Sequence, residues 1–408
     1  MKSLLNWKLA VGLSVLSIAV SVALFLGVEK VRTGAKESFL NTISGTDLIV
    51  GARSSGVQLL LYSVFHIGNA TNNVRMNTIE DVAVLPGVGW VVPISLGDSY
   101  RGHRVIGTTT EFFDRYRYRN QEKLTFQEGK RFNSLFDVVL GSDVAQTYSH
   151  TLGDEVVLSH GTGTVSFADH TERPFKISGI LDRTGTPIDR SVLVSLEAIE
   201  AIHHNWTPGV GHEDEKLPTL EELKPKTVTA AFVGIDTKMA TFSLQRFIND
   251  YEKEPITAVL PGVAFSELWS IVSNVETALL VISGMVVVAT VLGMMVAILS
   301  TLNERRREMA ILRSVGAAPH HVASLLVIES LLITLAGIAL GFAVLFLALM
   351  FGRSEIEQMT GIAMQIAVFG KNELRAVGAL LCGSLVAGLV PAIKVYRLSL
   401  ADGLIMRL

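Results

Sequence analysis

Long apolar runs alternate along this chain with stretches rich in charge and proline. Runs close to the ~20 residues of a membrane helix occur at 9–28, 278–300 and 322–351, and a less uniform run occurs at 376–393. Each can cross a hydrocarbon core about 30 Å thick as a helix. The pattern predicts four membrane-spanning helices.

The region between the first two runs differs in character. It contains nine of the 11 prolines, and none of its apolar runs reaches spanning length. Short apolar runs at 137–140 and 227–235 predict strands, and 242–251 has a helical repeat. Residues 205–226 mix Pro, Gly and charge, which predicts a loop or small flap. We expect a soluble α+β domain of two subdomains, since domains commonly hold about 100 to 150 residues.

A long helix is predicted to lead from this domain into the second span. Residues 265–302 contain no proline, and a helix without proline can continue unbroken. We therefore expect one continuous helix here.

Composition and charge narrow the class of protein. Apolar residues make up 49% of the chain, charged residues 18%, and the mean hydropathy is +0.43, which indicates a protein that is part membrane and part soluble. A net charge of −3 argues against nucleic acid as a general partner.

Basic residues set the expected orientation. Arg305, Arg306, Arg307 and Arg313 lie between spans two and three, and further basic residues follow span four. Positively charged loops face the cytoplasm. Both termini are then cytoplasmic, and the large domain between spans one and two is outside.

Small residues recur on the predicted spans at helical spacing, where they allow helices to approach closely in lipid. The alternative is that such residues are simply common in membrane helices. Span three also carries Glu329, which either faces the helix interface or reaches the headgroups. The residues assigned to a membrane helix interface are Ser14, Ser17, Ser21, Glu329, Gly337, Gly341, Gly383 and Gly388.

The residue pattern between spans two and three predicts a short amphipathic helix. Opposite charges at Glu304 and Arg307 are three residues apart and can pair, while Met309 and Leu312 begin an apolar stripe. Gly316 suits a helix end. The alternative is a surface helix whose arginines contact lipid phosphates.

This segment also carries a resemblance. The pattern ERRREMAILRSVGA at 304–317, followed by an apolar helix bearing Glu329, resembles the FtsX-like permease family, which includes the MacB-type and lipoprotein-releasing ABC transporter subunits of the type VII ABC superfamily. The resemblance covers the whole chain. The stretches 85–88, 138–141 and 152–156 resemble the MacB-type periplasmic core.

The resemblance implies a membrane protein with four transmembrane α-helices and a large α+β periplasmic domain, with a MacB-like core, inserted between helices 1 and 2. The implied segments are 1–28 (cytoplasmic N-terminus and helix 1), 29–270 (periplasmic domain), 271–300 (helix 2), 301–321 (coupling helix), 322–351 (helix 3), 352–375 (periplasmic loop), 376–395 (helix 4) and 396–408 (cytoplasmic tail).

The implied function is that of a permease subunit in a bacterial inner membrane. A segment between spans two and three, here called the coupling helix, would dock on a separate ABC ATPase, whose ATP hydrolysis moves the periplasmic domain to move or extract a substrate. The residues implied in docking are Glu304, Arg305, Arg306, Arg307, Glu308, Met309, Leu312, Arg313 and Gly316.

Cofactors and partners follow from the same resemblance. The chain contains no phosphate-binding loop, so we expect no enzyme activity and no cofactor in it; the partner ATPase would bind ATP and Mg. Further expected partners are a second permease copy, as a homodimer, a periplasmic binding or adaptor protein, and membrane lipid.

Two rival functions stay open. One is a signalling transducer that regulates a periplasmic partner such as a cell-wall hydrolase. The other is a zinc-linked system, because imidazole and carboxylate groups are zinc ligands and His203, His204 and His212 lie close together in the sequence. Their spacing matches no closed zinc site.

Overall fold

A computed structural model describes residues 2–119, 121–160, 168–169, 173–204, 219, 222–304, 311, 314–360 and 371–397. The chain divides into two compact units. One, the sheet unit, comprises Ala35–Ile271 together with residues 358–360. The other, the helical unit, combines the residues up to Gly34 with Val272–Glu357 and the last helix.

The described helices are α1 (Lys2–Asn41), α2 (Gly56–Val64), α3 (Met76–Ala83), α4 (Glu111–Arg115), α5 (Ser142–Tyr148), α6 (Leu196–His203), α7 (Thr241–Asn249), α8 (Pro261–Glu304), α9 (Pro319–Thr360) and α10 (Lys371–Arg397). The described strands are β1 (Leu48–Ala52), β2 (Val74–Arg75), β3 (Val88–Tyr100), β4 (His103–Thr108), β5 (Arg117–Tyr118), β6 (Glu122–Lys123), β7 (Phe126–Gly129), β8 (Asp137–Leu140), β9 (Glu155–Val156), β10 (Ser159–His160), β11 (Ala168–Asp169), β12 (Phe175–Leu181), β13 (Ser191–Ser195), β14 (Thr227–Val228), β15 (Ala230–Ile235) and β16 (Ile256–Val259).

The membrane-type helices lie largely in the helical unit. Within the described residues, three helical segments are long and apolar enough to cross a membrane: Val11–Gly34, Pro261–Gly293 and Pro319–Gly352. The apolar part of α10 is shorter and covers Val377–Val390. Length and composition therefore support three of the four predicted spans, and the fourth stays a prediction.

The continuous helix predicted at 265–302 is confirmed, because α8 runs unbroken from Pro261 to Glu304. It is 44 residues long, which at a rise of about 1.5 Å per residue is roughly 66 Å. Its length exceeds what the bilayer core requires, since ~20 residues are enough to cross it.

A sheet of 12 strands runs through the sheet unit. Nine strands lie side by side in the order β16-β1-β15-β3-β4-β13-β8-β12-β7. Most neighbours are antiparallel, but β13 pairs in parallel with β4, and β12 with β8. Strands β13 and β8 each contain three consecutive apolar residues that are fully buried, as is usual for strands covered on both faces.

Several local predictions in the sheet unit hold. The strand predicted at 137–140 is β8, and the helix predicted at 242–251 is α7. The strand predicted at 227–235 is divided into β14 and β15 at Thr229, whose hydroxyl accepts a hydrogen bond from the Leu96 backbone N–H at 2.9 Å. The loop predicted at 205–226 lies largely outside the described residues.

Candidate functional site: the helix contacts of the helical unit

Two buried hydroxyl groups join α1 and α8. Ser21 Oγ lies 2.5 Å from Thr290 Oγ1, and both side chains are buried. Each hydroxyl also contacts a backbone carbonyl of its own helix, Ser17 at 2.9 Å and Val286 at 2.8 Å. Each hydroxyl has one proton, so the hydroxyl that donates across the two helices does not also donate to the carbonyl of its own helix. The pair marks a close approach of the two helices.

A charged cluster, Glu29, Arg32 and Glu276, joins the same two helices at a second level; we call it the Arg32 cluster. Arg32 Nε and Nη2 donate to the two carboxylate oxygens of Glu29, at 2.8 and 2.7 Å. Arg32 Nη1 donates to Glu276 Oε1 on α8. The Glu29 side chain is 3% exposed and that of Glu276 13%. One guanidinium therefore connects a carboxylate on each helix.

The predicted Gly337–Gly341 motif lies against α1. A Cβ on Gly337 would be 2.6 Å from Ile18 Cβ, and a Cβ on Gly341 would be 2.8 Å from the carbonyl oxygen of Ala19. These separations are shorter than van der Waals contact, so the two positions admit hydrogen only. The motif brings the α9 and α1 backbones together, as small residues do in membrane helices.

Small residues also bring α10 close to its neighbours. A Cβ on Gly388 would collide with Ser330 Oγ on α9, and one on Gly383 would be 3.0 Å from Val291 Cγ2 on α8. Ser330 Oγ donates to the carbonyl of Val327 at 2.8 Å and lies 3.2 Å from that of Ser384. Helix α10 therefore packs on both α8 and α9.

The other predicted interface residues differ in exposure. Ser21 is buried, Ser14 is partly exposed, and Ser17 is exposed. Glu329 is partly exposed on α9. A place for Ser14, Ser17 and Glu329 in a helix interface stays a prediction.

The described residues of the predicted coupling helix do not include Arg305 to Ala310, Leu312 or Arg313. At its two ends, Glu304 closes α8 and Gly316 has φ +105°, a conformation that favours glycine. Val315 is 84% exposed. Pro319 then begins α9, the helix position that proline prefers.

The histidine candidates do not converge on a metal site. His203 Nδ1 lies 2.8 Å from the Ile199 carbonyl oxygen and Nε2 3.3 Å from Asp98 Oδ1; His204 is exposed, and His212 lies outside the described residues. Among the residues that the structure describes, no three His, Cys, Asp or Glu side chains are grouped to hold a metal. His203 is instead paired with a buried aspartate.

That pairing changes the titration of His203. Burial lowers the pKa of the imidazole, but the hydrogen bond and negative charge of Asp98 oppose this effect, and the net pKa is raised above the usual value for histidine.

Sequence reasoning missed the Arg32 cluster and Thr290. Glu29 and Arg32 are three residues apart, a spacing at which helical side chains pair, and they directly follow an apolar run. That spacing was a usable signal for the α1 half of the cluster. The choice of Glu276 as the second partner depends on the contact between α1 and α8.

Comparisons with known proteins place the chain in a family. The family model for the MacB-like periplasmic core domain matches residues 11–231, and the family model for the FtsX-like permease C-terminal region matches residues 280–400. A search of curated proteins gives no match.

Two solved structures are similar to parts of the chain. One is the periplasmic region of MacB from Actinobacillus actinomycetemcomitans, with 11% identity over 56% of this chain and 94% of that one and a TM-score of 0.35. The other is the extracellular domain of the noncanonic ABC-type transporter YknZ from Gram-positive bacteria, with 14% identity over 52% of this chain and 99% of that one and a TM-score of 0.32.

The two family models, one for a periplasmic domain and one for a permease region, define an ABC-type membrane permease. The chain belongs to the MacB/FtsX family of such permeases. In general the ATPase of this family is carried by a separate partner. The predicted family is therefore confirmed.

Proposed function

We propose that this chain is the permease subunit of a MacB-like ABC system that converts ATP hydrolysis by a separate ATPase into movement of its periplasmic domain. The observation that carries the proposal is α8, which continues without a break from Pro261 in the sheet unit to Glu304 at the coupling helix. An unbroken helix can transmit a displacement along its axis, whereas a kink would absorb it. The substrate moved or extracted would be handled by the periplasmic domain.

The arrangement in the membrane follows from charge and composition. We infer four spans in a bacterial inner membrane, with both termini in the cytoplasm and the sheet unit in the periplasm. The arginines of the coupling helix support this orientation. The apolar stretch Val377–Val390 supports the fourth span. ATP and Mg would be bound by the partner ATPase only.

The exposed apolar face of α8 supports a second copy of the chain as a partner. The membrane part of α8 exposes many large apolar side chains: Leu279, Val281, Ile282, Met285, Val288, Leu292 and Val296. A homodimer would cover part of this face, with lipid on the rest. Two copies also match an ABC engine with two nucleotide sites. A periplasmic binding or adaptor protein completes the proposed assembly.

The coupling helix gives the test. The tagged chain is purified from its native membrane, and associated proteins are identified by mass spectrometry. The double variant Met309→Asp with Leu312→Asp places charge on the apolar stripe and is expected to abolish recovery of the ATPase. Ser314→Asp is the matched control, because this residue is exposed and lies outside the stripe; it should leave recovery unchanged.

The results separate the proposal from its rivals. An ATPase recovered with a periplasmic binding or adaptor protein supports a transporter. An ATPase accompanied only by a cell-wall enzyme supports the transducer. Unchanged recovery in the double variant would contradict docking through this segment, and no ATPase at all would contradict the proposal as a whole.

A further inference from the structure

The Arg32 cluster is a directional contact between α1 and α8. Two N–H groups of the guanidinium bind both oxygens of Glu29, three residues earlier on the same helix. This bidentate pairing fixes the plane of the guanidinium. The remaining edge, at Nη1, is thereby aimed at Glu276 on α8. Glu29 orients Arg32, and Arg32 holds Glu276.

Burial makes this contact costly to break. The side chains of Glu29, Arg32 and Glu276 are 3%, 25% and 13% exposed, so water replaces lost hydrogen bonds poorly. Removing one partner of such a pair leaves a charge without compensation. The helices are therefore held in one register at this level, because a shift of either helix would leave a buried charge unpaired.

A second polar contact lies further along the same two helices, where Ser21 meets Thr290. It is separated from the Arg32 cluster by about 16 Å along α1 and about 21 Å along α8, at a rise of about 1.5 Å per residue. Two contacts this far apart resist both sliding and rotation of one helix against the other. Helices α1 and α8 are therefore expected to move as a pair.

We infer that Arg32 is a positioning residue for the coupling of ATP hydrolysis to the periplasmic domain: it transfers displacement of α8 to α1. This inference rests on the proposed function. Both helices continue into residues of the sheet unit, α1 to Asn41 and α8 from Pro261. A pair of helices that moves together displaces Ala35–Ile271 at both of its ends, whereas α8 alone would displace one end.

The test measures movement of the periplasmic domain in the intact complex with its ATPase. The exposed cysteine Cys382 is replaced by serine, and a spin label is attached at Val84→Cys, a position 81% exposed in the sheet unit. Electron–electron distances between the labels of the two copies are recorded without nucleotide and with ATP and vanadate. ATP hydrolysis by the same samples is measured in parallel.

Substitutions at Arg32 then separate its role from folding. Arg32→Met removes the charge and both pairings, and is expected to abolish the nucleotide-dependent change in distance while ATP hydrolysis continues. Arg32→Lys should give a reduced change, because an ammonium is a point charge without the planar fork of arginine. Lys30→Met is the matched control on the same helix and should behave like the parent protein.

A more conservative variant provides the test if Arg32→Met does not assemble. Glu276→Gln removes only the charge on α8 and leaves the Glu29–Arg32 pair; it should also reduce the change in distance. A change of normal size in Arg32→Met would overturn the inference, and so would one in Glu276→Gln where Arg32→Met does not assemble. No change in the parent protein during ATP hydrolysis would instead contradict the proposed function.

Discussion

His203 Nε2 on α6 lies 3.3 Å from Oδ1 of Asp98 on β3. Asp98 is 1% exposed, so its carboxylate is removed from bulk water, and a protonated imidazole is a favourable neighbour for it. The pair ties a helix to the central sheet within the sheet unit. It also makes the stability of that unit depend on pH.

The His203 pair is expected to stabilise the sheet unit most at low pH. Burial lowers the pKa of the His203 imidazole in the folded state, but Asp98 outweighs this effect, so the net pKa is raised. A raised folded pKa gives stabilisation that is complete below the unfolded value of about 6.5 and is lost as pH rises through the folded pKa. His203→Gln should remove this loss. The check is thermal unfolding of the full chain in detergent at several pH values, followed by tryptophan fluorescence; equal pH dependence in both proteins would contradict the assignment.

His66 is expected to have the opposite effect on the pH dependence of stability, because its contribution is lost as pH falls. Burial, assisted by the positive charge of Arg104, lowers the pKa of His66 to about 4. Its contribution is present above about pH 6.5 and is lost as pH falls toward 4, because the unfolded chain takes up the proton first.

The variant His66→Asn should flatten the acid side of the stability profile. Asparagine tolerates the left-handed backbone at this position, where φ is 56°, and its amide can still contact Ser191 Oγ, which lies 3.1 Å from His66 Nδ1. The same melting experiment below pH 6.5 provides the measurement. An acid slope equal to that of the parent protein would show that His66 does not titrate as described.

The contact between α9 and α1 should not tolerate a methyl group. In Gly337→Ala the new Cβ would lie 2.6 Å from Ile18 Cβ and 3.2 Å from the Val15 carbonyl oxygen, and overpacking of this kind costs about 1 to 3 kcal/mol. Gly284→Ala is the matched control, because its Cβ would meet nothing within 4 Å. Unfolding in mixed detergent micelles compares the two; equal stability would contradict the close packing of α9 on α1.

The hydroxyl contact between α1 and α8 should be measurable as a coupling. Ser21→Ala, Thr290→Ala and the double variant form a cycle whose interaction term isolates the pair. Hydrogen bonds between membrane helices average about 0.6 kcal/mol in such cycles, and we expect a term of that size. Strictly additive effects on unfolding in micelles would mean that each hydroxyl serves only its own helix.

Patterns that repeat along one element were readable from the sequence. The unbroken α8 follows from the absence of proline, the strand at 137–140 from a short apolar run, and the Gly337–Gly341 motif from its spacing. Spacing does not identify the neighbour, however: that Gly337 meets Ile18 and that Gly383 meets Val291 depends on how the helices are arranged. The family resemblance was readable for a similar reason, since its motifs are continuous in the sequence.

Polar contacts between distant segments were not readable. Arg32 and Glu276 are 244 residues apart, and many acidic residues could in principle pair with that arginine. His203 was considered as a metal ligand because the sequence places it beside His204, but the fold gives it Asp98 as its neighbour. In both cases the partner is chosen by tertiary packing of one helix against another element.

The most direct test of the account is hydrogen exchange, measured by mass spectrometry, of the full chain assembled with its ATPase, with and without ATP and vanadate. Transmission along α8 predicts that nucleotide trapping changes exchange in the sheet unit, at β1, which follows α1, and at β16, which precedes α8. Changes confined to the coupling helix, with residues 42–260 unaffected, would contradict the claim that ATP hydrolysis moves the periplasmic domain.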